Sequence, residues 1–119
     1  MRDVSILTDN GVDLESSLEL LGDLEFYDET IESFIEEQKT RLDKLKEYLD
    51  NLDMENYAIL VHAMKSDSKY LGFKKLAELS LEHEMASKAN NVDLVKSKFD
   101  ELMEEANRIT ALAIKYMGE

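Results

Sequence analysis

The stretch VHAMKSDSKYLG, from Val61 to Gly72, holds one of the chain's two histidines together with two lysines and two serines. On a helix, residues three, four and seven apart share a face. His62, Lys65, Ser66 and Lys69 then form one patch within an arc of about 100°. His62 lies about 100° round from Val61, which sits on an apolar stripe, so its ring is expected beyond the core edge and in reach of water. Ala58, one turn earlier, leaves room beside it. Lys74 and Lys75 follow Gly72, giving four lysines and one acid, Asp67, between His62 and Lys75. Imidazole titrates near pH 6.5, so its neutral form is a good nucleophile around pH 7. Attack on phosphorus would give a phosphoimidazole, whose oxygens would take charge and hydrogen bonds from Lys65, Lys69 and the Ser66 hydroxyl. Spacing alone leaves the plainer alternative open, because a helical histidine among lysines is usually an ordinary surface residue.

The island is basic in an acidic molecule. The 119-residue chain has 27 acidic and 14 basic residues and a formal charge of −13. That balance argues against nucleic acid, whose phosphates would be repelled, yet a small basic patch still suits an acidic site on a protein. With no cysteine, disulfides and thiolate metal sites are excluded. The apolar runs AILV and ALAI are too short to cross a membrane, and the opening MRDVSILTDN lacks the apolar core of a signal peptide. One domain spanning residues 1–119 is expected, in the cytoplasm and away from membranes.

Five helical segments are needed to position the patch. VDLESSLELLG reads as a short helix with Asp13 as its cap and Gly22 as its stop. A second runs from about Phe26 to Leu49, with Tyr27, Ile31, Phe34, Ile35, Leu42, Leu45 and Leu49 at helical spacing. Asp53 caps a third, whose face carries Met54, Tyr57, Val61, Met64, Ser68 and Leu71, and Gly72 ends or kinks it. A fourth places Leu76, Leu79, His83 and Ala86 on one stripe, with His83 expected at the bundle edge. Asn90-Asn91 makes a turn, and the last helix presents Val92, Val95, Phe99, Leu102, Ala106, Ile109, Ala113 and Tyr116. There is no proline and no strand pattern. The fold class is all-α: an antiparallel four-helix bundle with a short additional N-terminal helix.

His62, Lys65, Ser68, Gly72, Leu76, Ser80 and Glu84 have a joint spacing that resembles histidine-containing phosphotransfer (HPt) domains of two-component phosphorelays. The stretch GVDLESSLELLGDLEFYDETIESFIEE resembles the opening of that family, so the resemblance covers most of the chain. It departs at Ser66, where glycine is usual, at Asp67, where a small neutral residue is common, and at His83, where an aliphatic residue is usual. Asp67 lies about 140° beyond His62, which turns it largely aside.

The resemblance implies a phosphorelay intermediate. His62 would accept a phosphoryl group from a receiver-domain aspartate and pass it to another receiver, with Lys65, Ser66 and Lys69 at the site and Ser68 and Gly72 as structural motif positions. It implies Nε2 as the attacking nitrogen. Partners would be response-regulator receivers and a hybrid sensor histidine kinase, and the receiver would supply the magnesium ion. The protein would be a carrier with no cofactor or metal of its own, and not an enzyme. An apolar docking face is expected around His62, rimmed by lysines and including Ala58, Lys74 and Lys75; the short first helix (Leu14, Leu18, Leu21) covers one bundle end. Two alternatives stand beside this. One is a degenerate, unphosphorylated adaptor bundle that docks signalling proteins. The other is a bundle metal site, which the sequence disfavours because neither histidine follows a glutamate by three residues.

Overall fold

The computed structural model describes residues 2–118, and they form six helices. These are α1 (Ser5–Thr8), α2 (Leu14–Leu21), α3 (Leu24–Asp50), α4 (Met54–Leu71), α5 (Lys74–Lys88) and α6 (Val92–Met117). The single turn α1 is an addition to the expected five; at 4 residues it is too short to show a period. Four of the five longer helices start on a side-chain cap, and α5 starts at Phe73 without one. The side chains of Asp13, Asp23, Asp53 and Asn91 accept from the backbone N–H three residues on, as N-caps do. The turns before α4 and α6 share one geometry, a left-handed residue (Leu52 or Asn90, φ 55°) followed by the capping residue.

The 27 residues of α3 span about 40 Å at 1.5 Å per residue, close to the 44 Å long axis of the molecule. The long helices pack in the circuit α3–α4–α5–α6–α3. Short connections make successive helices antiparallel. Tyr116 near the end of α6 donates to Asp28 near the start of α3, 2.6 Å away, so that pair is antiparallel too. The expected apolar stripes face inward almost as read: Tyr27, Ile31, Leu45, Tyr57, Val61, Met64, Leu71, Leu76, Leu102 and Ala113 are all essentially inaccessible. Ile35, Val92 and Phe99 are only partly buried. Gln38 fills the α3 position between Phe34 and Leu42 and is fully buried.

Two features fix α4 against its surroundings. Ser68 and Ser80 are fully buried, and such small side chains let the backbones of α4 and α5 approach closely. Gly72 does more than stop α4. It adopts φ +80°, and its carbonyl accepts from the Asp13 N–H at 2.9 Å. A Cβ there would collide with the Asp13 carbonyl and come within 2.7 Å of the Ser17 hydroxyl. The N-terminal segment therefore sits directly on the α4–α5 turn, and α2 packs on α3 and α4 while α1 packs on α6.

Candidate functional site

His62 emerges from α4 with its side chain 56% exposed, as its offset from Val61 requires. Facing it across the hairpin is Glu84 of α5, whose side chain is only 4% exposed. The two meet at 2.7 Å between Nδ1 and Oε2. Lys65 donates to Glu84 Oε1 at 2.8 Å, and Lys88 pairs with Oε2 at 2.8 Å. Burial by itself would raise the Glu84 pKa, but the donors Lys65, Lys88 and His62 outweigh it and hold the carboxyl down at about 2. The carboxylate is therefore ionised and can only accept. Nδ1 of His62 must carry the proton it shares, and the lone pair falls on Nε2, on the far side of the ring from Glu84.

The other expected members of the patch separate by role. Lys65 has its ammonium on Glu84 and its side chain 20% exposed, so it braces the acid that orients the ring. Lys69 is exposed and forms no ion pair among the described residues. Ser66 is half-buried beside it, and Ser68 faces the core. Asp67 turns toward α3, where Arg41 Nη1 lies 2.6 Å from its Oδ2. Ala58 is 6% exposed and forms the floor of a groove with Met54, Ile59, His62, Glu84 and Ser87. Lys74 reaches Asp13 at 3.1 Å, and Lys75 belongs to a separate cleft beside Arg108. A second groove, beyond His62 on the other side, has Leu20, Lys65, Lys69, Ala77 and Leu81 along it. Ile59, Leu20 and Leu81 are large apolar side chains left exposed on these two grooves. The apolar face expected around His62 is thus built mainly by residues that spacing did not single out.

His83 is not an edge residue. It is 1% exposed, deeper than a stripe margin allows, because α6 covers it. Its Nε2–H donates to the Lys98 carbonyl at 3.1 Å, and its Nδ1 accepts from the Tyr57 hydroxyl at 2.8 Å. Burial pushes this imidazole below the ordinary histidine range, against an opposing pull from the Lys98 carbonyl. Burial also pushes the Tyr57 phenol up, so it remains a donor. His83 and His62 thus have separate partners, and no cluster of three metal-ligating side chains occurs among the described residues. No helix among them is long and apolar enough to cross a membrane.

The absence of Glu84 from the patch read by helical spacing has a simple cause, since it lies on another helix. The family spacing does single Glu84 out, as the acid 22 residues after the histidine, without placing it against the ring. Lys88, one turn further along α5, had no such signal.

Comparison with known proteins gives one clear finding. No curated protein and no solved structure matches the chain. A family model described as Hpt domain matches residues 29–112, most of the chain, and takes in α4, α5 and both residues of the His62–Glu84 contact. Hpt domains are phosphocarrier modules of two-component phosphorelays and act with receiver domains. With all-helical architecture and a family match over well more than half its length, the chain belongs to the Hpt domain family.

Proposed function

We propose that this protein is a phosphorelay intermediate whose phosphorylated atom is Nε2 of His62, within a single domain acting in the cytoplasm. The observation that carries this reading is the contact between His62 Nδ1 and an ionised, nearly buried Glu84. In the neutral ring that contact puts the lone pair on Nε2, on a side chain that is 56% exposed.

The chemistry follows. Nε2 attacks the phosphorus of a receiver acyl phosphate and forms an N–P bond. The acyl P–O bond breaks, and the receiver aspartate leaves as a carboxylate. With Nδ1 still protonated, the ring becomes cationic, and Glu84 stabilises that charge. Lys65 and Lys88 keep Glu84 ionised and fixed while Lys69 is free to meet the phosphoryl oxygens. Reversing the steps on a second receiver returns the imidazole. Most of the work is positioning and charge compensation, with the metal belonging to the receiver. Ile59, Leu20 and Leu81 supply apolar contact on either side of the nucleophile, and a lysine rim steers an acidic partner.

The test is phosphoryl transfer from a panel of labelled, phosphorylated receiver domains to the wild type and to His62→Gln. Acid-labile, base-stable label on the wild type alone supports the relay role. Lack of label from every receiver, each competent toward another acceptor, would reject it in favour of the adaptor reading, which the departures at Ser66 and Asp67 suggest.

A further inference from the structure

Asp67 is the only acid between His62 and Lys75. It lies five residues past His62, about 140° round the helix and about 7.5 Å along it. The side chains diverge by that angle as well as along the axis, so Asp67 stands beside the site and not in it. An acidic receiver surface spreading over α4 would meet a bare carboxylate there as an adverse charge at its edge.

The carboxylate is not bare. Arg41 of α3, its side chain only 14% exposed, places Nη1 2.6 Å from Asp67 Oδ2. Its Nη2 lies 2.8 Å from Glu37 Oε2, one turn back on the same helix. The guanidinium thus lies between two carboxylates in the α3–α4 seam at ion-pair distance, although Nη1 makes no aligned hydrogen bond. Asp67 remains 37% exposed, so its charge depends on this partner rather than on burial for its masking. Glu84, in contact with His62, is compensated by Lys65 and Lys88, whereas Glu55, on the same groove, is exposed and has no ion pair among the described residues.

Resting on the relay reading, we propose that Arg41 is a positioning residue for phosphoryl transfer. It draws the Asp67 carboxylate toward α3 and offsets part of its charge, so that an acidic partner docks over His62 with less repulsion. The device belongs to this chain's own departure from the usual small neutral residue at position 67. Its effect falls on encounter and docking more than on the bond-making step.

The test compares transfer from one phosphorylated receiver to the wild type, Arg41→Gln, Asp67→Asn and the double variant. Arg41→Gln should lower the second-order transfer rate about three- to tenfold at low salt, mostly through a higher half-saturating receiver concentration. Half-molar salt should shrink the defect. Asp67→Asn should stay within about twofold of wild type, since the charge it removes is already masked. The double variant should recover the wild-type rate while remaining less stable in urea than wild type, which separates charge masking from helix packing. A double variant as slow as Arg41→Gln would overturn the proposal, as would a folded Arg41→Gln at the wild-type rate. If Arg41→Gln fails to fold, a large acceleration in Asp67→Asn would still overturn it, because the charge would then be unmasked in the wild type. Absence of label on the wild type is a different result and rejects the relay reading itself.

Discussion

Replacing Glu84 by Gln tests the centre of the reasoning, because it keeps the shape and removes the charge. In the wild type the carboxylate accepts from His62 Nδ1 at 2.7 Å, from Lys65 at 2.8 Å and from Lys88 at 2.8 Å. A hydrogen bond to a charged group contributes about 1.5–3 kcal/mol, and a neutral one about 0.5–1.5. The ring cation formed during transfer therefore loses about 1–1.5 kcal/mol of stabilisation, a roughly five- to tenfold slower step at saturating receiver. The carboxamide can also donate to Nδ1, which moves the ring proton to Nε2 and blocks the nucleophile. Rapid-quench transfer measures the rate, and 15N chemical shifts of the imidazole report the tautomer. Wild type should show the Nδ1–H form, and the variant a mixture. With Lys65 and Lys88 left unpaired, urea unfolding should also show a loss of about 1–3 kcal/mol. A variant that transfers within twofold of wild type and keeps the wild-type 15N spectrum would refute the assignment of Nε2 through Glu84.

Three further expectations concern the frame of the site. Gly72→Ala should cost at least about 2 kcal/mol by urea unfolding, since it combines φ +80° with a collision against Asp13; a cost under about half a kcal/mol would show that the N-terminal segment gives way easily. Ser66→Gly should bring a receiver closer and speed transfer while destabilising α4 by about 0.5–1 kcal/mol, and slower transfer would instead show that the hydroxyl assists. Stability should fall with acid in two windows: His83 is held neutral, so its contribution is full above about pH 6.5 and declines below it, while Glu84 contributes fully above about pH 4.3 and loses that as pH falls toward its folded value of about 2. Urea midpoints across pH 7.5 to 5 should slope less in His83→Gln, and an unchanged slope would show that His83 does not govern the upper window.

The helices and their buried faces were readable because a 3.6-residue period and capping side chains are local signals. Met54, Tyr57, Val61, Met64, Ser68 and Leu71 all face the core of α4 as that period predicts. What a single helix cannot reveal is which neighbour meets its margin. Spacing puts Lys65 at the phosphoryl group, yet Glu84 occupies its ammonium from another helix. Helical angle turns Asp67 aside, and its partner Arg41, 26 residues earlier, shares no local pattern with it. The stripe puts His83 at an edge because its partner on α6 is a backbone carbonyl, and a carbonyl leaves no mark in the sequence. Gln38 is buried although its type suggests a surface residue, and here position in the repeat prevailed over chemistry.

The acid, the two lysines and the histidine of the site all belong to one helical hairpin, α4 and α5, closed by Gly72 and Phe73. The chain joining His62 to Glu84 is short, so closing it costs little entropy. Contacts of such low sequence separation form early as a chain collapses. The segment before α2 is different, since Asp13 reaches Gly72 only after nearly half the chain has been laid down between them. The N-terminal segment can then open and close as a local fluctuation while the His62–Glu84 contact persists until global unfolding. Amide exchange would register this as two tiers of protection, with the hairpin in the slower one.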